Sequence, residues 1–192
     1  MKKAVIIAFD NFTDIDVFMP WDLLNRVREK HKDFQIKIVG TAASHRSICG
    51  LETPMHGLIE ESKDADLVFF SSGMGTRALY KNQEYLDRYD LDPKKQLICS
   101  MCSGALLLAG LGLLNGITAT TYPTTVTVLR EMGVEVVEDQ HLVTHDNVAT
   151  AAGCLAAVDL VGWAVEKLYD AETKQAVIAS VLPVGQGQVC IY

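Results

Sequence analysis

Cys102 is the side chain in this sequence best placed for nucleophilic chemistry. It lies where the apolar run at 97–101 ends and a second apolar run follows after Ser103 and Gly104. This order predicts a buried strand, a sharp turn and a helix, with the thiol at the corner. Backbone N–H groups at the start of a helix stabilise a thiolate or a developing oxyanion. We expect Cys102 to be a nucleophile rather than a core cysteine, although free cysteines are often buried.

An acid or base that assists Cys102 must come from elsewhere in the chain, because residues 96–129 contain no Asp, Glu, Lys, Arg or His. Asp16 is the best candidate, since its neighbours are apolar and an unpaired carboxylate there is costly. Asp10 and Asp14 are acids of the kind that cap helix starts. No histidine is near Cys102 in sequence, although folding could bring His141 or His145 to it.

A glycine-containing loop at 71–76 offers backbone N–H groups to a ligand. Gly73 is a natural oxyanion donor, because a glycine lets the backbone approach a substrate closely. Tight turns also need glycines, so a second interpretation is that these glycines only allow the chain to turn. The spacing matches neither a dinucleotide-binding fingerprint nor a P-loop, so we expect no nucleotide cofactor.

Strands and helices alternate along the first two thirds of the chain, which predicts a parallel sheet with helices on both faces. In such a sheet ligands bind at the carboxyl ends of the strands, where the loops 10–16, 71–76 and 101–104 lie. A later hairpin is expected around residues 145–147. The predicted strands are 4–9, 34–39, 67–70, 97–101, 134–137, 141–144 and 148–151, and the predicted helices are 17–28, 78–89, 104–114, 154–169 and 171–182.

Composition narrows the class of protein. The 192 residues are 49% hydrophobic and 21% charged, which indicates one globular domain over 1–192. The net charge of −7 and the lack of a basic stripe argue against a nucleic-acid partner. The uncharged stretch is interrupted by Gly, Ser and Asn, so we expect no membrane span.

The five cysteines indicate a reducing, cytoplasmic location, since they are odd in number and lack the spacing of a disulfide framework or a metal site. The pair Cys99 and Cys102 has the spacing of a thioredoxin-like redox motif. Cys99, however, falls inside the predicted strand rather than at the helix start. We therefore predict no metal and no redox pair.

Several segments carry a family resemblance: 15–20, 70–75, 102–109, 112–116, 119–121, 152–153 and the helix through Asp159. Together they resemble the ThiJ/PfpI superfamily, which is related to class I glutamine amidotransferases, and most of all its isocyanide hydratase branch. The resemblance covers nearly the whole chain. It implies a flavodoxin-like doubly wound sandwich with a mostly parallel sheet and a nucleophile elbow. AraC-type regulators share this domain but add a helix-turn-helix module, which we do not expect here.

The resemblance also implies roles for particular residues. Cys102 would be the nucleophile, Asp16 the acid beside it, and the backbone N–H groups of Gly73 and Ser103 the oxyanion donors. Met74 and Tyr122 are expected substrate contacts. A homodimer and no cofactor are also implied.

The sequence departs from the family pattern at several positions. Ser103 stands where peptidase members have a histidine, and Tyr122 stands where many other members have a histidine. The phenol of Tyr122 is a poor base at neutral pH and does not replace that histidine as a base. Ser71 and Ser72 replace a Pro-Gly pair, and Met19 stands where glycine is common. We therefore expect the substrate to differ in shape.

The function predicted from these residues is hydration of a small isocyanide to an N-substituted formamide, with Cys102 adding to carbon and Asp16 handling protons. An ionised carboxylate and a thiolate raise each other's pKa, so the pair is expected to share one proton, with a neutral Asp16 carboxyl donating a hydrogen bond to the Cys102 thiolate. One alternative is another cysteine-nucleophile reaction, such as amide hydrolysis or a glyoxalase-like reaction, which needs a base. A second alternative is a redox or ligand sensor without turnover.

Overall fold

The computed structural model describes residues 1–184 and contains seven α-helices and eleven strands within that range, besides short 3-10 helices. The strands are β1 Lys3–Ile7, β2 Gln35–Gly40, β3 Ser44–Arg46, β4 Glu52–Pro54, β5 Gly57–Leu58, β6 Leu67–Phe70, β7 Leu97–Met101, β8 Thr118–Ala119, β9 Glu135–Val136, β10 Leu142–His145 and β11 Val148–Ala151. The helices are α1 Asp14–Arg26, α2 Thr76–Leu79, α3 Gln83–Leu86, α4 Ala105–Gly110, α5 Val126–Glu131, α6 Ala157–Leu168 and α7 Ala171–Ala179.

Seven strands form the central sheet in the order β10-β11-β7-β6-β1-β2-β5. All neighbours pair in parallel except β10 and β11, which form an antiparallel edge hairpin. Strands β6 and β7 are buried along their whole length. Their continuous apolar character is typical of strands covered on both faces.

Two groups of helices cover the sheet. Helices α1, α6 and α7 pack against one another, and α4 packs against α2 and α5. Strand β7 contacts both α4 and α6, because its side chains alternate between the two faces. The predicted doubly wound sandwich with helices on both faces is therefore confirmed.

Some predicted elements differ in the structure. The helix expected at 78–89 is two short helices, because Asn82 interrupts it and accepts a hydrogen bond from Tyr85 N at 3.2 Å as the cap of α3. The strand expected at 134–137 is reduced to β9, which pairs with β8 outside the central sheet. The expected hairpin forms around Asp146, whose φ is 46°. The small β3–β4 hairpin and helix α5 were not predicted.

Within residues 1–184, every helix is either too short or too polar to cross a membrane. Cys190, one of the five cysteines, lies outside the described residues.

Candidate active site

Four neighbouring strands bring the candidate residues to one edge of the sheet. Strand β1 leads into the first turn of α1, which carries Asp16, and β6 leads into Ser72 and Gly73. Strand β7 ends at Cys102, and β11 is followed by Cys154. Because β11, β7, β6 and β1 are adjacent and parallel, their carboxyl ends meet at the same place. This is the edge at which parallel sheets bind ligands.

Cys102 occupies a strained corner between β7 and α4. Its φ of 46° lies in the left-handed region, which a side-chain-bearing residue adopts only when its surroundings hold it there. A short 3-10 helix over Cys102–Gly104 follows at once. A Cβ at Gly104 would lie 2.6 Å from Ser71 O and 2.8 Å from Phe70 O, so only glycine fits there. These features confirm the predicted nucleophile elbow.

The Asp16 carboxylate is fully buried and faces the Cys102 thiol. Ser72 Oγ donates a hydrogen bond to Asp16 Oδ2. Asp16 Oδ1 has no hydrogen-bond partner among the residues that the structure describes. A carboxylate oxygen, the Cys102 Sγ and the Cys154 Sγ all lie within 4.8 Å of one another. The expected Cys102 and Asp16 pair is thus brought together, with a second thiol beside it.

Burial raises the pKa of the Cys102 thiol well above its ordinary value, and the nearby Asp16 charge raises it further. A backbone hydrogen bond from Gly153 acts in the opposite direction but does not overcome them. The resting sulfur is therefore protonated at neutral pH. This protonated thiol differs from the thiolate that the start of the helix was expected to stabilise. The cost of burying a charged sulfur outweighs the stabilisation that the backbone N–H groups provide.

The pKa of the Cys154 thiol is also raised, first by burial and then by the Asp16 charge. Hydrogen bonding with Cys102 acts in the opposite direction. Both thiols therefore carry protons when the site holds no ligand.

The expected oxyanion donors are arranged around the Ser103 hydroxyl. The Gly73 N–H donates a hydrogen bond to Ser103 Oγ at 3.2 Å. The Ser103 hydroxyl in turn donates a hydrogen bond to Gly73 O at 3.3 Å. A substrate oxyanion would have to replace the hydroxyl at Gly73 N–H. The Ser103 N–H lies in the first turn of the elbow helix, where N–H groups have no partner within the helix. The roles of Gly73 and Ser103 stay predictions.

A cavity of about 430 Å³ opens above these residues. The expected substrate contacts Met74 and Tyr122 both line it and are 53% and 45% exposed. The cavity is lined by Thr13, Asp16, Ile48, Ser72, Gly73, Met74, Arg77, Cys102, Ser103, Tyr122, Thr124 and Cys154. Its volume suits a small molecule.

Histidine is absent from the part of this lining that the structure describes. His141 pairs with Asp159 at 2.8 Å, and His145 Nε2 lies 2.8 Å from Thr118 Oγ1. The fold therefore brings neither candidate histidine to Cys102.

Among the lining residues that the sequence analysis missed, Arg77 and Cys154 carry the reactive or charged side chains. Arg77 projects from α2, and its guanidinium donates to Gly73 O at 3.4 Å and to Thr124 Oγ1 at 3.1 Å. Cys154 follows β11 by three residues, much as Cys102 follows β7. That parallel could have drawn attention to Cys154, but it becomes informative only once β11 is known to neighbour β7.

Comparison with known proteins identifies the family of this chain. The profile of the DJ-1/PfpI family matches residues 2–167. The chain belongs to the DJ-1/PfpI family. This confirms the resemblance to the ThiJ/PfpI superfamily that the sequence motifs indicated.

Individual members of the DJ-1/PfpI family are distant from this chain. An isonitrile hydratase of Pseudomonas putida is 25% identical over 173 residues, which cover 89% of this chain and 74% of that protein. The crystal structure of a ThiJ/PfpI family protein from Pseudomonas syringae superposes with a TM-score of 0.82 at 23% identity, covering 95% of this chain and 76% of that one. DJ-1 of Schizosaccharomyces pombe superposes with a TM-score of 0.77 at 20% identity, covering 93% and 98%. Both of these solved structures share the fold of this chain.

Proposed function

We propose that this protein is a cysteine-dependent hydratase that converts a small isocyanide into an N-substituted formamide. The observation that carries the proposal is the buried Cys102 thiol facing the Asp16 carboxylate at a small-molecule cavity whose described lining contains no histidine. Such a site offers a nucleophile, Cys102, and a group that can move its proton, Asp16. Hydration of an isocyanide needs only these two and water.

In the first step, Asp16 accepts the Cys102 proton as Sγ attacks the terminal carbon of the isocyanide. Asp16 then delivers that proton to the same carbon, so that a C–S bond and a C–H bond form. The product is a thioimidate in which the former isocyanide carbon is joined to Sγ, to hydrogen and to nitrogen. The raised pKa of Cys102 suits this step, because the proton that carbon needs is already in the site.

In the second step, water adds to the thioimidate carbon, and nitrogen gains a proton as the C–O bond forms. The hydroxyl of this adduct then gives its proton to Asp16 as its oxygen becomes the formamide carbonyl and the C–S bond breaks, and Asp16 passes that proton to Sγ. The sum is one isocyanide and one water giving one formamide, with the enzyme unchanged. The hydrogen bond from Ser72 fixes the carboxylate for both transfers.

The distant relative supports the same chemistry. The Pseudomonas putida protein is named an isonitrile hydratase, and isonitrile is another word for isocyanide. At 25% identity this supports the class of reaction rather than a particular substrate.

Two observations weigh against the alternatives. Amide hydrolysis and glyoxalase-like chemistry need a further base, and none of the histidines in residues 1–184 lines the cavity. A peroxide sensor uses an exposed thiol with a lowered pKa, whereas Cys102 is 5% exposed and its pKa is raised. Hydration is therefore the function that this geometry favours.

The experiment that tests the proposal is an assay for formamide release from a panel of isocyanides, amides and 2-oxoaldehydes. We expect turnover of an isocyanide, and a loss of at least about 1,000-fold in rate in Cys102→Ala. Cys49→Ser removes an exposed thiol outside the cavity and should keep full activity. Formamide release that survives in folded Cys102→Ala would rule the mechanism out.

Three further expectations remain proposals: a homodimer, which the family resemblance implies, a cytoplasmic location, which the cysteines indicate, and a single domain over 1–192, which length and composition indicate. Light scattering tests the first. It should give twice the chain mass of 21.0 kDa, and a mass of one chain at micromolar concentration would contradict it.

A further inference from the structure

Cys154 gives this site a second thiol that the proposed hydration does not use. Its Sγ, the Cys102 Sγ and an Asp16 carboxylate oxygen converge within 4.8 Å of one another. The three groups come from the separate helical turns that follow β11, β7 and β1. Thiolates and carboxylates are ligands of zinc and of other borderline or soft divalent cations.

One oxygen of the buried Asp16 carboxylate has no hydrogen-bond partner among the described residues. Oδ2 accepts a hydrogen bond from Ser72, while Oδ1 is buried without a partner. A buried carboxylate oxygen without a hydrogen bond is costly. A cation between the two sulfurs would give Oδ1 a partner. The Ser72 hydroxyl would then orient the carboxylate through its hydrogen bond to Oδ2, as hydrogen-bonding neighbours of metal ligands do.

The dimensions are compatible with zinc. Zinc–sulfur bonds of about 2.3 Å and a zinc–oxygen bond of about 2.1 Å place tetrahedral ligand atoms about 3.6–3.8 Å apart. The upper bound of 4.8 Å here requires only small side-chain adjustments to reach that separation. Three protein ligands leave a fourth tetrahedral position open to water or a small molecule, as in catalytic zinc sites.

We propose that Asp16, Cys102 and Cys154 form a binding site for one zinc ion, and that zinc binding and nucleophilic chemistry at Cys102 exclude each other. On binding, each thiol releases its proton to solvent, and the two sulfurs and Oδ1 coordinate the ion. The Cys102 Sγ lone pair is then shared with the metal and does not attack carbon. The binding itself does not depend on the proposed hydration.

The decisive experiment titrates the reduced protein with Co²⁺, an optical probe, and then displaces it with Zn²⁺. We expect one Co²⁺ per chain, with a thiolate-to-cobalt charge-transfer band and the intense visible bands of tetrahedral coordination. Cys154→Ser and Asp16→Asn should each weaken Zn²⁺ binding more than about 100-fold, because loss of a ligand costs more than loss of a second-shell group. Ser72→Ala should weaken it about 10- to 100-fold.

Cys49→Ser is the matched control, because Cys49 is an exposed thiol that interacts with Asp14 outside the cavity. Its Zn²⁺ affinity should equal that of the unaltered protein. Binding that is lost in Cys49→Ser, or kept in folded Cys154→Ser, would overturn the proposal, and so would Co²⁺ spectra without a thiolate band.

Alkylation tests the exclusion of Cys102 chemistry without any substrate. Bound Zn²⁺ should slow iodoacetamide labelling of Cys102 and Cys154, measured by peptide mass spectrometry, and leave labelling of Cys49 unchanged. Equal labelling of Cys102 with and without saturating Zn²⁺ would show that the two are not exclusive. Because neither experiment measures turnover, failure of the hydration proposal and failure of this one are distinguishable.

Discussion

At the scale of single residues, the Asp16 charge sets how readily Cys102 loses its proton. Burial is the larger cause of the raised thiol pKa and the carboxylate is the second, so Asp16→Asn removes only the second. We expect the pKa of Cys102 to fall, and the pH midpoint of its alkylation by iodoacetamide to move at least about one pH unit lower. Hydration should be lost in the same variant, because the group that moves the proton is gone.

Asp14→Asn is the matched control in the same turn of α1. The Asp14 carboxylate raises the pKa of the Cys49 thiol through a hydrogen bond and its charge. This variant should therefore lower the alkylation midpoint of Cys49 and leave that of Cys102 in place. A Cys102 midpoint that is the same in Asp16→Asn and in the unaltered protein would contradict the assignment.

At the scale of elements, the elbow depends on how closely α4 approaches the end of β6. Gly104→Ala would place a methyl group 2.6 Å from Ser71 O, and backbone on both sides leaves it no room. We expect a loss of about 1–3 kcal/mol in the free energy of unfolding, measured by urea denaturation. Activity should fall too, since Ser72 and Cys102 flank the contact.

The same substitution in α6 should have the opposite sign. A methyl group at Gly162 would meet side-chain atoms of Lys174 and Ile178 at 3.4–3.5 Å, which is ordinary van der Waals distance. Gly162→Ala should therefore stabilise the helix by about 0.5–1 kcal/mol. If both variants lose the same stability, the close approach at Gly104 is not the reason that glycine stands there.

At the scale of the whole molecule, the site is built on the most deeply buried strands. Strands β6 and β7 lie at the centre of the sheet, whereas the β3–β4 hairpin and the β8–β9 pair lie outside it. Amide hydrogen exchange should be slowest in β1, β6 and β7, and should report global unfolding there. Exchange in β3–β4 as slow as in β7 would contradict this order. A site supported by rigid strands keeps its side chains in place.

The sequence alone determined the class of fold and the position of Cys102 at a strand-to-helix corner, where its role as a nucleophile is a prediction. The apolar runs before Asp16, Ser72 and Cys102 are local patterns, and parallel strands place their carboxyl ends together by geometry. The edge hairpin of β10 and β11 was predicted from the same local patterns. The division of the expected 78–89 helix at Asn82 was not, because it depends on a helix cap that helix propensity does not reveal.

Only the tertiary structure decided what surrounds the thiol. Neighbouring strands in the sheet need not be neighbours in sequence, so the pairing of β11 with β7 brought Cys154 to Cys102, although the two are 52 positions apart in the chain. The fold also placed both candidate histidines away from the thiol, where His141 pairs with Asp159 and His145 contacts Thr118. Desolvation is likewise a property of the folded molecule, and for that reason the sequence suggested a thiolate where burial favours a thiol.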